Sequence, residues 1–233
     1  MTDISIIYYT SNTIPDIVAR NIRRHTLEVT EGKIPIVSVS QKPIDFGTNI
    51  CVGEIGQSYY NMHKQALIAA MAVKTKYLAV CDDDTLYTKE YFTHRPSTDD
   101  TFAYNLNWWY AESTRFWHKR PGVRDTGMCQ CICPTKELIE NYQARFDHFP
   151  PLDQDQDKSA QRRWMEPGRD DEYFGIPNAK VEYFKSKIPT IVFNYRYSLG
   201  GRRKSWHGRT LVDSLPVWGK ATDLWHEYWE GSV

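Results

Sequence analysis

The sequence predicts an α/β protein with a mixed, mostly parallel central sheet flanked by helices, a single domain with two lobes. Three observations predict it. The apolar runs "ISIIYY", "IPIVSVS" and "YLAVC" alternate with two segments of helical periodicity, and that order gives a parallel sheet with crossover helices. The chain has 233 residues, enough for one large domain or two small lobes sharing a core. Hydrophobic content is 41% and charged content 25%, the balance of a soluble globular protein rather than a disordered or fibrous one.

Taken in order, Asp3 to Tyr9 reads as a buried strand. "TSNTIPD" is a polar loop that sets Pro15 near a helix start. Asp16 to Thr26 reads as a helix carrying Ile17, Val18 and Ile22 on one side. Ile34 to Ser40 is the second strand, and "QKPIDFGTN" and "VGEIGQS" are loops. Tyr59, Met62, Ala66, Ala69 and Val73 fall at helical spacing, so Ser58 to Val73 is a helix. Tyr77 to Cys81 is the third strand. Beyond it, "TFAYNLNWWY" and "GMCQCICP" read as strands and "TKELIENYQARF" as a helix. "PPLDQDQDKSAQRRW" is a polar loop, "PTIVFNYRYS" a late strand and "GGRRKSWHGR" a basic loop opened by glycines. Leu224, Trp225, Tyr228 and Trp229 share one face of the segment Thr222 to Trp229 and are expected to dock on the core.

Lys plus Arg number 29 and Asp plus Glu number 29, so no global field draws a polyanion and any nucleic-acid binding must rest on local patches. No apolar run approaches the ~20 residues of a membrane span. Met1 leads directly into a strand-like run with no secretory leader read. Five cysteines, an odd number, argue against a closed disulfide framework and for a reducing compartment, so a cytoplasmic location is expected. Cys129, Cys131 and Cys133 alternate and would share a strand face; paired zinc ligands usually stand further apart.

The third strand runs into Asp82, Asp83 and Asp84. Like charges in a row repel and resist desolvation. In open parallel sheets ligands bind beyond the carboxyl ends of the strands, where this triplet falls. Mg²⁺ or Mn²⁺ takes one or two carboxylates and completes its shell with phosphate and water. A cation and a hydroxylated ligand could therefore divide the three. A solvated turn opening the following "TKEYF" segment is the plainer reading.

The pattern resembles the GT-A glycosyltransferases, especially family-2-like enzymes. "YTSN" keeps Thr10 and Asn12 of the motif that ends the family's first strand, "CDDD" supplies an Asp-x-Asp, and "TGMCQCICPTKELI" and "EPGRDDEYFG" fit the acceptor-side strand and the later acidic motif. "VSVSQKPIDFG" and "NICVGEIG" also resemble small glycosyltransferases of phages and environmental bacteria, several of which modify DNA bases with sugars. The resemblance covers about residues 4–209 and implies a nucleotide-sugar-binding half, 1–95, and an acceptor and catalytic half, 96–233, of one continuous domain. One position departs: the family usually places an Asp after the second strand to hold the donor base, and here Ser40 and Gln41 stand there.

The resemblance implies a metal-dependent, inverting transfer from a nucleotide-sugar, a UDP-sugar first, with Mn²⁺ or Mg²⁺; a retaining outcome stays open. Asp84 and His207 would be metal ligands. Thr10, Asn12, Lys64, Asp82 and Asp83 would bind donor, and Arg202 and Lys204, with Arg203 and Arg209 beside them, would face the diphosphate. The base would be Asp171, with Glu166 and Asp170 as the alternatives. Asn105, Asn107, Trp108, Trp109 and Trp117 could hold an acceptor sugar or base, and Lys119 and Arg120, with Arg115, His118 and Arg124 near them, mix phosphate contacts with stacking aromatics. The acceptor classes are then a hydroxymethylated pyrimidine in phage DNA, with the enzyme in the host cytoplasm, or a saccharide, lipid or protein. A nucleotidyltransferase also uses strand-end carboxylates, but "YYTSNTIPD" lacks the glycine-rich loop it usually needs; a non-catalytic nucleotide-sugar-binding module is the third class.

Overall fold

The computed structural model describes residues 2–119, 126–149, 166–169, 171–195 and 209–231. The strands are β1 (Ile4–Thr10), β2 (Ile36–Ser40), β3 (Thr48–Cys51), β4 (Tyr77–Asp82), β5 (Thr85–Leu86), β6 (Thr101–Asn105), β7 (Trp108–Glu112), β8 (Arg115–Lys119), β9 (Cys131–Pro134), β10 (Lys180–Phe184), β11 (Thr190–Phe193) and β12 (Arg209–Val212), followed by the short hairpin β13 (Ser214–Leu215) and β14 (Gly219–Lys220). The helices are α1 (Asp16–Thr30), α2 (Tyr59–Ala72), α3 (Thr135–His148) and α4 (Ala221–Trp225), the last continued by a wide π-helical stretch, His226–Gly231.

The large sheet has the order β3-β2-β1-β4-β9-β6-β10, and only β9 runs against its neighbours. The mixed, mostly parallel sheet flanked by helices is therefore as expected. β1 is buried along its whole length because both its faces are covered. Ile7 and Tyr9 join the core under α2 and α3, while Ile4, Ile6 and Tyr8 join Phe46, Tyr87 and Tyr91 on the other face. The second sheet has the order β5-β11-β7-β8-β12. One of its faces packs on Val18 and Ile22 of α1 and on Leu224 and Tyr228, so the C-terminal aromatic face docks on a core.

Several elements differ from the sequence reading. "TFAYNLNWWY" is two strands in two sheets, broken where the Asn105 side chain accepts from Asn107 N at 3.0 Å. α1 runs four residues further, to Thr30, and stops where Glu31 turns left-handed at φ 53°. β3, β8, β10 and β12 were not read as strands. β3 and β10 are the edges of the large sheet and carry no fully buried residue, so no apolar run announces them. Cys129 lies in a 3-10 turn (Met128–Gln130) rather than on the strand that holds Cys131 and Cys133, and all five cysteines are free. The "PPLDQDQDKSAQRRW" segment lies, but for Phe149 before it, outside the described residues, as does the basic loop up to residue 208.

Candidate active site

β4 carries the chain out of the large sheet at Asp82 and, three residues later, β5 enters the small one at Thr85. The acidic triplet is thus the joint between the sheets. Beside it lies the carboxyl end of β1, where Tyr9 is in register with Asp82. Thr10 Oγ1 donates to Asp83 Oδ2 and accepts Asn12 N at 2.9 Å. Asp84 O accepts Phe193 N at 2.8 Å, and Thr85 Oγ1 donates to the Asp84 carboxylate at 3.1 Å.

All three carboxyls sit above the usual carboxylate range, and burial is the first cause for each. Asp82 is further raised by Asp83, and Asp84 by both neighbours. Asp83 is held down in part by Thr10 and by Arg23, a cation that α1 brings up from behind. Asp83 is therefore a local hub. Asp82 Oδ1 is buried and makes no hydrogen bond among the described residues, an arrangement that costs free energy unless something else occupies it. Hard oxygen donors and an orphaned buried carboxylate oxygen fit a small divalent cation. Among the described residues no group of three or more His, Cys, Asp or Glu side chains converges as a metal cage.

The donor-side residues have mixed fates. Asn12 adopts a left-handed backbone, φ 58°, and its Oδ1 accepts Gln41 N and Lys42 N, both at 2.9 Å. It ties the end of β1 to the end of β2. Gln41, standing where a base-reading Asp was expected, is buried and accepts Ile55 N at 3.1 Å and Gly56 N at 3.0 Å while donating to Gly56 O at 2.8 Å. Its side chain shapes the following loop. Lys64 is exposed on α2, and its buried neighbour Gln65 donates to Thr10 O at 2.9 Å and Val39 O at 3.1 Å. Arg202, Lys204 and His207 lie outside the described residues, as do Arg120 and Asp170.

The base candidates part company. Both Asp171 and its partner Arg145 have side chains that are 0% exposed, and their ion pair is closed by Gly168 N at 2.6 Å, Ala179 N at 3.3 Å and Asn141 Nδ2 at 3.5 Å on Asp171 Oδ2. Asp171, the first choice for the base, is thus enclosed and fully engaged by groups of the protein itself. Glu166 takes Thr126 Oγ1 and, at 3.1 Å, Arg169 Nη1 on its carboxylate. Tyr9, Tyr104 and Tyr142 share one core; Tyr9 and Tyr142 lie in the field of Asp82, and Tyr104 in that of Glu166 and Tyr142. Burial is the first cause that lifts all three phenols, which stay neutral donors.

Asn105 is fully buried and bonds Ser186 N, Ser186 Oγ and Asn107 N; Asn107 donates to Ser186 O at 2.7 Å. Both asparagines are spent on the crossing between the sheets. Trp108 is buried, and Trp117 is 0% exposed, stacked on Tyr110 at 3.8 Å with the Arg209 guanidinium carbon 3.7 Å from the Trp117 ring centroid. Trp109 lies half-buried on the opposite face, beside His118 and the α1 core. These aromatics fill cores, and Arg209 is spent on Trp117. Lys119 is half-buried at the end of β8.

Sequence reasoning missed Arg23, Tyr8, Gln65 and Tyr195. Tyr8 and Tyr195 both sense Asp83 and Asp84, and Tyr8 Oη is buried without a hydrogen bond among the described residues. The alternation of β1 could have offered Tyr8 and Tyr9 as wall residues on opposite faces. Nothing local marks Arg23.

No protein-family model matches the chain, and no curated protein matches it. Solved structures of similar outline exist. The S. aureus TarS 1-349 structure in complex with UDP-GlcNAc has a TM-score of 0.45 and 13% identity, covering 88% of this chain and 60% of that one. A glycosyltransferase involved in the glycosylation of the major capsid of PBCV-1 has a TM-score of 0.47 and 10% identity, covering 79% and 82%. The bifunctional IspDF from Campylobacter jejuni has a TM-score of 0.46 and 10% identity over 80% of this chain, which spans half of that one. The likeness is one of outline.

Proposed function

We propose that this chain is a glycosyltransferase that moves a sugar from a nucleotide-sugar to a hydroxyl acceptor, with a UDP-sugar as the first donor to try. The observation that carries the reading is the Asp82–Asp84 joint at the carboxyl end of a central strand, with Asp82 Oδ1 buried and unbonded among the described residues. A strand end of this kind suits a nucleotide ligand, and a carboxylate set of this kind suits Mg²⁺ or Mn²⁺. Asp84 and Asp82 would hold the cation, joined by His207 of the basic loop. When bound, it neutralises charge on the departing diphosphate.

Asp83, tied to Thr10 and faced by Arg23, would keep the β1 loop in place for the nucleotide. Glu166 would take the proton of the acceptor hydroxyl as its oxygen bonds the anomeric carbon and the bond to the nucleoside diphosphate breaks. A single displacement of this sort inverts the anomeric centre. Asp170 is the other carboxylate for this role. A base contributes roughly 10²–10⁴-fold. The acceptor includes, as one arm to be tested, a hydroxymethylated pyrimidine in DNA; the basic run from Arg115 to Arg124 supports that arm, and the burial of Trp108 and Trp117 removes stacking from it.

The test is donor hydrolysis and sugar transfer across a nucleotide-sugar panel, with hydroxymethylated DNA, unmodified DNA and simple saccharides as acceptors, read by mass spectrometry. Turnover of one donor with a divalent cation supports the reading. Binding of every nucleotide-sugar without turnover would favour a binding module, and release of pyrophosphate from a nucleoside triphosphate a nucleotidyltransferase.

A further inference from the structure

We propose that the buried Arg145–Asp171 pair is a positioning device for Glu166, and that Asp171 acts through the turn it holds rather than on the substrate. The proposal rests on Glu166 being the base.

The pair does more than neutralise two charges. Asp171 gathers three segments at once: Arg145 and Asn141 from α3, the peptide N–H of Gly168 and the peptide N–H of Ala179 just before β10. Arg145 Nε also bonds Asn141 Oδ1 at 3.0 Å, which fixes the guanidinium on its own helix. The chain after Asp171 folds back onto it, with Phe174 N and Ile176 N on its carbonyl at 3.1 and 3.0 Å. Apolar residues of similar size fill buried space as well as an ion pair does, often with better stability. They offer no acceptor to two backbone N–H groups. The carboxylate is needed for the loop rather than for the core.

The turn that carries Glu166 is held from two further sides. Tyr104 Oη donates to Pro167 O at 2.9 Å. Gly168 has φ +82°, and a Cβ there would meet Val181 Cγ2 at 2.0 Å, so the turn is wedged against β10 with no room to shift. Arg169 N closes it on Glu166 O at 3.1 Å. Glu166 is the first residue of this braced turn, with its side chain 7% exposed. A base must stand within hydrogen-bond reach of its proton, and a misplacement of ~1 Å can cost on the order of 10²-fold.

Four variants test this by thermal unfolding, amide exchange and steady-state transfer. Arg145→Met/Asp171→Leu removes both charges at similar volume. It is expected to fold with a melting temperature near that of the parent, to exchange faster at Gly168 and Ala179, and to lose about 10–100-fold in kcat with donor KM unchanged. Glu166→Gln should lose on the order of 10²-fold or more in kcat with the exchange at Gly168 and Ala179 unchanged. Gly168→Ala, which leaves the pair intact, should reproduce the kcat loss and serves where the double variant fails to fold. Full kcat in Gly168→Ala, or in the double variant despite faster exchange, would overturn the positioning role. Near-parent kcat in Glu166→Gln, with kcat lost in Asp171→Asn, would make Asp171 the base and overturn it equally. If the parent transfers no sugar, the reading of function falls with it, whereas exchange protection at Gly168 still reports whether the clamp exists.

Discussion

A carboxylate's role in this protein depends on what else reaches it. Asp171 carries several partners and Asp83 is tied to Thr10, so both act as fasteners, while Asp82 keeps a buried oxygen unbonded among the described residues. Asp84→Ala is expected to abolish donor turnover while leaving the melting temperature within a few degrees of the parent, because it deletes mutual repulsion with Asp82 and Asp83 as well as a ligand. Excess EDTA should have the same effect on the parent. Undiminished turnover in EDTA would rule out the metal. His63 is a second residue whose chemistry is set by its surroundings. Burial holds its pKa at about 3, against 6.5 when unfolded, and Nδ1 faces Tyr59 O at 2.9 Å. The folded state then refuses a proton that the unfolded state accepts. Its contribution is complete above pH 6.5 and is lost as pH falls towards 3, by up to ~1.4 kcal/mol per pH unit. The acidic triplet works in the opposite sense, since raised carboxyl pKa values favour the folded state as pH falls. Urea titrations of the parent and His63→Gln at several pH values separate the two: the variant's stability should fall less steeply across this window, and parallel curves would refute the assignment.

Among the elements, α2 does the most to shape the site. Ser58 caps it by accepting Asn61 N, and Gln65 reaches back to the last carbonyls of β1 and β2. Gln65→Leu leaves Thr10 O and Val39 O without that donor and should cost about 1–3 kcal/mol. It should also raise the donor KM, since Thr10 anchors Asp83; an unchanged KM in a destabilised variant would confine Gln65 to the core. The elements also show what a sequence exposes to reading. β1, β2, β4 and α2 were legible because each is long, periodic and apolar on the faces that pack. The triplet was legible because its place followed from their order. The hairpin of β7 and β8 was not legible, since alternation marks two faces but not which of them is covered, and here both are. Trp117 therefore looked available when it was core. The engagement of Asp171 was not legible for a similar reason: its partner, Arg145, comes from a helix 26 residues earlier, a pairing that no local pattern announces.

At the scale of the whole molecule, equal numbers of acidic and basic residues leave any polyanion to the local run after β8. If DNA is the acceptor, Lys119→Ala/Arg120→Ala should weaken binding to all sequences alike and flatten its salt dependence, because phosphate contacts carry the field and not the sequence. Fluorescence titrations at several salt concentrations check this, and a loss confined to one sequence would contradict it. Trp117→Ala should instead unfold much of the small sheet, at about 3–5 kcal/mol. The joint at Asp82–Asp84 has one more consequence, for how the chain is made. β4 leaves the large sheet with one edge waiting for β9, some fifty residues downstream, and β5 must wait for β11, more than a hundred downstream. A ribosome delivering this chain therefore holds out an unfinished parallel sheet with an open apolar margin until the last strands emerge. The nascent chain is most exposed to mispairing over the interval in which its three aspartates are already out, and like charges at the open end of β4 would repel a second nascent copy offering the same strand.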